Sequence, residues 1–405
     1  MPGLISAHGL GGPAGVPVPG FVFAWAAAIV LVGSFAALGA LWKTPRLERG
    51  GERRLPTLPA WAEPLCGAAG VAVLVWLVVA GLTGTQDPDA NDLPQAVYVW
   101  FWVGLVPLSL LAGDVFSAFN PWRATGRAAG WLAGRVAGDR LHGGPLPYPA
   151  LLGRWPAALT IAAFTWVELV SPDRDDPRTL AGLVLGYVGL QLLGQALYGV
   201  EAWTRNGDGF AVYFSLFGRL ALLTRRPLLS GATTLAPLAG TTALLCVMLG
   251  STSFDGLSGT SFWRDALPDL VDALGSQELA ATLGLLAMIG LIALVYRLGV
   301  AGMHARSPQR FAHSLIPIAA AYVIAHYLTF LIERGFDTTL DKTVTWFVQV
   351  GVLVAGHVGG LVLAHDRALT DYEDTHIARR SQQWMLVVMV GYTSLGLWLL
   401  SSLAK

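Results

Sequence analysis

The sequence is short of charge. Only 13% of its 405 residues are Asp, Glu, Lys or Arg, and 54% are hydrophobic; a soluble domain carries roughly 25% charged residues. With a mean hydropathy of +0.56, this excludes an ordinary water-soluble globule and points to a polytopic membrane protein. Basic and acidic residues balance at 26 each, so no net field gathers nucleic acid. Cysteine is limited to Cys66 and Cys246. Both lie inside apolar runs, which argues against a disulfide framework and leaves no Cys-x-x-Cys metal knuckle. There is no Gly-x-Ser-x-Gly elbow, no Walker loop and no His-Glu-x-x-His. No apolar run contains a lysine, which argues against a retinal Schiff base.

What is present is a series of apolar runs of the ~20 residues needed to cross a hydrocarbon core as helix. They lie near 19–42, 61–84, 95–113, 149–171, 179–200, 231–252, 278–300, 313–333, 343–364 and 383–402. The expected fold is all-α: a polytopic transmembrane helix bundle of about ten spans, five helical hairpins, with amphipathic interfacial helices. It forms one membrane domain over residues 1–405. Basic residues follow alternate runs, at Lys43–Arg54, Arg123–Arg154, Arg205–Arg226, Arg297–Arg310 and Arg367–Arg380. The positive-inside rule then places both termini outside. The tail before the first run carries no Lys or Arg, the reverse of a cleavable signal peptide, so the first span is retained.

Two of the basic loops resemble each other. One reads Gly113-Asp114-Val-Phe116-Ser-Ala-Phe119 and the other Gly207-Asp208-Gly-Phe210-Ala-Val-Tyr213. A parallel repeat over 95–171 and 179–252 is one explanation; chance similarity in a Gly- and Ala-rich chain is the other. Phe210, Tyr213, Phe214, Phe217 and Leu220 keep helical spacing, as an interfacial helix would. In the outer loop 251–277, Trp263, Leu267, Leu270, Val271 and Leu274 form one helix face, and Asp265, Asp269 and Asp272 the other. That element is read as an interfacial anchor or a cap over a cavity.

Polar residues at membrane depth are the candidate site. Tyr322, His326, Thr329 and Glu333 fall within an arc of about 60° on one helix. Glu333 lies at the interface, so Tyr322, His326 and Thr329 form the buried part. Gln349 sits at matching depth on the next run. Tyr187, Gln191, Gln195 and Tyr198 form a second stripe. These residues are candidates for lining a polar pocket in the outer half of the membrane, because polar groups in lipid must face protein, water or ligand. The alternative is interhelical hydrogen-bond glue, worth roughly 0.6–2 kcal/mol per contact.

A second group holds His357, His365, Asp366 and His313, with His304 in the preceding loop. Histidine and carboxylate are zinc or copper ligands in principle. However, His357 and His365 lie about 80° and about 12 Å apart on one helix, a poor geometry for a shared ion. A bis-histidine haem using His313 and His326 needs partners at matching depth, and His357 falls between the two levels. Neither cofactor is required by the pattern. Gly356 and Gly360 flank His357 as a small-xxx-small pair suited to close helix packing.

Several stretches resemble a group of multi-span actinobacterial membrane proteins labelled fenitrothion hydrolase. They are Ala7–Pro13, Gly113-Asp114 through Asn120-Pro121-Trp122-Arg123, Ser253-Phe254-Asp255-Gly256-Leu257-Ser258, and Gln349 through His357 to His365-Asp366-Arg367. The resemblance covers most of the chain. It implies a bacterial plasma membrane and cleavage of organophosphate-like esters, and it supplies no catalytic residues. Three functions follow as expectations: a protein that binds or moves a small apolar or neutral molecule, a membrane-embedded ester hydrolase, or a non-catalytic subunit docking a protein partner at its inner basic loops.

Overall fold

The computed structural model describes residues 20–48, 53–54, 59, 61–137, 144–223, 225–303, 308–372 and 375–402. The stretch Ala7–Pro13 and His304 lie outside them. In chain order the first helices are α1 (Gly20–Leu41), α2 (Ala62–Thr83), α3 (Asp92–Gln95), α4 (Leu105–Ala112), α5 (Val115–Phe119) and α6 (Pro121–Ala137). Then come α7 (Trp155–Leu169), α8 (Pro177–Tyr198), α9 (Val200–Asn206), α10 (Gly209–Gly218), α11 (Ser230–Thr233) and α12 (Thr241–Ser258). The last are α13 (Ser261–Leu274), α14 (Gln277–Ala301), α15 (Leu315–Phe336), α16 (Lys342–Asp371) and α17 (Thr375–Ser402). A π-helix, Ala96–Gly104, joins α3 to α4, and a 3-10 segment, Pro308–Ser314, leads into α15. The strands among the described residues are two pairs of arginines, Arg53–Arg54 and Arg225–Arg226.

Six helical segments are long and apolar enough to cross a membrane: Ala62–Thr83, Asp92–Ala112, Pro177–Tyr198, Gln277–Ala301, Gln309–Phe336 and Lys342–Asp371. The other four expected runs coincide with α1, α7, α12 and α17. Two of their boundaries differ from expectation. The run 149–171 becomes helical only at Trp155, after Gly153 at φ +48°. The run 231–252 is split into α11 and α12, because Pro237 and Gly240 at φ +78° interrupt it. The stretch 251–277, expected as an outer loop, is largely helical, since α12 continues to Ser258 before α13 begins.

The chain divides into two compact units. The first comprises Arg54–Thr224 with Leu238–Leu244. Its α2 turns Leu65, Val73, Val75, Trp76 and Val79 outward, each about half exposed or more. Such a surface is a liability in water and the natural outer face in lipid. At its centre is α10, and here the interfacial reading of Phe210–Leu220 is corrected. Phe214 and Phe217 are fully buried, and Phe210 and Tyr213 nearly so. Gly209 lets α10 approach Thr160 of α7, and Gly218 lets it approach Asp114. The helix is apolar on every side, so a protein interior suits it better than an interface with one wet face. Arg219 comes after the helix instead of forming its polar side.

The second unit comprises the described residues of Ile5–Arg53, Arg225–Pro237 and Leu245–Lys405. Its α15 and α16 pack closely through glycine. A Cβ on Gly356 would lie 2.3 Å from the Ala321 Cβ, and one on Gly360 2.7 Å from the Ser314 carbonyl oxygen. The small-xxx-small pair is therefore a contact face. In α13, Asp265, Asp269 and Asp272 are exposed while Trp263, Leu267, Leu270, Val271 and Leu274 are half-buried, as the amphipathic reading requires. Trp263 stacks edge-on against Phe254, with ring centroids 5.2 Å apart.

Candidate functional site

The first unit contains a cavity of about 580 Å³. Its walls are apolar side chains of α2, the π-helix, α7 and α8, with Phe116, Phe119, Pro121 and Phe210 closing it. Sites for drug-sized ligands run roughly 300–1,000 Å³. The π-helix supplies Ala96, Val97, Trp100 and Phe101 to one wall. Such widened helices concentrate at functional sites. Phe101 is held edge-on by Phe116, Phe210 and Phe214, with centroids 4.8–5.4 Å apart. The cavity has an open side: among its lining residues Val73 is 51% exposed, Leu190 46% and Trp100 43%.

Trp122, Thr160 and Tyr187 bring polar atoms to the wall, and each is already bound. The Thr160 hydroxyl donates to the Pro156 carbonyl. The Tyr187 hydroxyl donates to Asp208 Oδ1 at 2.7 Å, and Trp122 Nε1 to Asp208 Oδ2 at 2.6 Å. Asp208 also accepts from Asn120 Nδ2 and from the Ala211 amide. This fully buried carboxylate thus gathers four donors from three segments of the unit: α8, the start of α6 and α10. Burial pushes its carboxyl above the ordinary range, against hydrogen bonds from Tyr187, Trp122, Ala211 and Asn120 that pull it down.

The two Gly-Asp-x-Phe loops share one local geometry. Asp208 caps α10 by accepting from the amide three residues on, and Asp114 caps α5 likewise through the Ser117 amide. Their glycines differ. Gly113 sits at φ +102°, a conformation suited to glycine, whereas Gly207 is needed for close approach to the Trp203 ring. Burial raises Asp114 to about 6, opposed by its bond from Ser117 and by Arg123.

The stripe on α8 does not act as one surface. Tyr187 reaches Asp208 and the cavity. Gln191 accepts from Trp203 Nε1 at 2.8 Å, and Gln195 is buried against Gly126 of α6. Gln191 therefore acts as glue between α8 and α9. Tyr198 stacks on Trp203.

In the second unit, His326 Nε2 lies 2.7 Å from Asp255 Oδ2. Asp255 was missed as a site residue because its stretch read as an outer loop; the longer α12 places it within a helix. The Tyr322 ring stacks with Tyr392 at 5.9 Å. The Thr329 hydroxyl and both amide atoms of Gln349 are buried without hydrogen-bond partners. Glu333 is exposed.

The lower histidine group is dispersed. His365 hydrogen-bonds Gln382 and the Trp42 carbonyl. Asp366 accepts from Trp42 Nε1 and from the amides of Arg46, Leu47 and Glu48, fastening the segment after α1. His313 is buried, with Nε2 4.0 Å from Glu48. His357 donates through Nδ1 to the Leu353 carbonyl. Among the described residues no three His, Cys, Asp or Glu side chains come together as a metal site. Several arginines of the basic loops are committed internally. Arg123 and Arg127 bind Glu63 and Glu201, Arg367 binds Glu48 and Arg310 binds Asp371.

The class defined by this architecture is a helical protein with six apolar helices of bilayer length, an apolar cavity in one unit and a buried polar cluster in the other. No protein-family model, curated protein or solved structure matches the chain.

Proposed function

We propose that the chain is a ten-span integral membrane protein, with both termini outside, whose first unit takes up a neutral apolar molecule from the bilayer. The observation that carries this reading is the aromatic cavity of about 580 Å³ with exposed apolar residues at its rim. A molecule already dissolved in lipid reaches such a site without crossing water. The N–H and O–H groups of Trp122, Thr160 and Tyr187 on its wall all donate to the protein itself, so a polar solute would find few free partners for the hydration it loses. Neutral aromatic organophosphate esters, the class implied by the resemblance above, fit this description. Binding, rather than cleavage, is the step we assign to the cavity.

The test is photolabelling in proteoliposomes with a neutral aryl diazirine, followed by peptide mapping. Labelling at Phe101 and Val184 should saturate and be competed by excess unlabelled probe. Labelling at lipid-facing Trp76, 57% exposed and outside the cavity, should rise linearly. Linear, uncompeted labelling at all three positions would reject the binding site.

A further inference from the structure

The second unit carries buried protonatable side chains that the apolar cavity does not use. We propose that they form a proton relay along the interior of this unit. The reading shares only the membrane placement with the proposal above, and its failure leaves the cavity reading untouched.

The relay begins at the Asp255–His326 pair. A carboxylate and an imidazole 2.7 Å apart exchange a proton directly. Both side chains are largely buried, at 12% and 6% exposed, and ionisable groups at this depth in lipid are costly enough to imply a role. One turn down α15 from His326, Tyr322 stacks on Tyr392, with ring centroids 5.9 Å apart. The Tyr392 hydroxyl is also 3.3 Å from Ser253 Oγ, two residues before Asp255 on α12. Helices α12, α15 and α17 thus each contribute to one polar cluster.

His357 extends it. Its ring centroid lies 6.0 Å from that of Tyr322 and 6.3 Å from that of Tyr392. Because Nδ1–H is committed to the Leu353 carbonyl, Nε2 carries a lone pair, and that atom is buried with no partner. His357 lines a separate cavity of about 70 Å³, together with Tyr392, Tyr296 and Ser314. Water takes roughly 30 Å³ in the liquid and needs two to four polar partners. The cavity has room for a water molecule beside His357 and Tyr392, and the relay requires water there to bridge the imidazole and the hydroxyl. Protons pass along such a row by the Grotthuss exchange of covalent and hydrogen bonds: each oxygen or nitrogen accepts one proton and releases another, with no redox change. From His326 to Ser314 the row covers about 18 Å of a core roughly 30 Å thick. Thr329, with its unpartnered hydroxyl, lies one turn beyond His326 at the opposite end of the row.

The experiment reconstitutes the full chain in liposomes containing a pH-sensitive dye and imposes an inside-negative potential with valinomycin and potassium. The wild type should acidify the lumen clearly faster than protein-free liposomes. Tyr392→Phe, which removes only a hydroxyl, and Asp255→Asn should each reduce that rate about tenfold while eluting as the same monodisperse species. Wild-type liposomes no faster than empty ones would overturn the proposal. Wild-type rates in both folded variants would overturn it equally, leaving the cluster as helix glue. If either variant misfolds, His357→Gln provides the same comparison.

Discussion

Replacing Asp208 by asparagine tests how the apolar cavity is kept free of polar groups. The carboxylate receives two donors on each oxygen: Tyr187 and Ala211 on Oδ1, Asn120 and Trp122 on Oδ2. An asparagine keeps the shape but presents NH₂ to one of these pairs. Two buried donors then lose their acceptor, at about 1–3 kcal/mol each. Against this, a neutral side chain removes the burial penalty that pushes the carboxyl upward. The donors outnumber what an amide can accept, so the net cost should be about 3 kcal/mol. For a unit of this size that corresponds to a melting shift of roughly 6–12 °C. The assay is a thermal ramp of detergent-purified protein read by intrinsic tryptophan fluorescence. Tyr187→Phe supplies an internal check, because it removes one of the donors. It should cost less in the Asp208→Asn background than in the wild type if the new amide turns toward the pair that Oδ1 serves. An Asp208→Asn protein melting within about 2 °C of the wild type, roughly the effect of 1 kcal/mol or less, would refute the reasoning.

Other outcomes follow from single residues. Burial raises Asp114 to about 6, so the folded state holds this proton more tightly than the unfolded chain does. Its stabilising contribution is present below about pH 4 and lost as pH rises through about 6; Asp114→Asn should remove that loss, at most about 3 kcal/mol, in melting curves across pH. Asp366→Ala orphans Trp42 Nε1 and the amides of Arg46, Leu47 and Glu48; hydrogen exchange over 42–48 should accelerate, with a global cost of at least about 3 kcal/mol. Arg127→Gln should change stability by under about 1 kcal/mol in the same thermal ramp, because Arg127 and its partner Glu201 are 40% and 52% exposed.

The helices were legible because lipid-length apolar runs are long, uniform signals. Where the reading slipped, the cause was local. Gly240 and Pro237 interrupt an otherwise apolar run, and hydropathy averaging hides such a break. The aromatic spacing of Phe210–Phe217 reads alike for an interfacial helix and a buried one; glycines at both ends and partners from α7 and the π-helix decide between them. The capping role of Asp114 and Asp208 was visible as a repeated motif, although its geometry was not. His326 stood out, but Asp255 lies 71 residues away on another helix. The cavity left no mark in the polar pattern because its walls are apolar, and nothing in Ala96–Gly104 distinguishes a π-helix from an α-helix.

The central claim is that the first unit binds a neutral apolar molecule inside its aromatic cavity. Equilibrium binding of a radiolabelled neutral aryl diazirine to the protein in nanodiscs, without illumination, tests it most directly. One saturable site per chain, weakened at least tenfold by Ala163→Trp on the cavity wall, is the predicted result. Uptake that never saturates, or a saturable site unaffected by that substitution, would contradict it.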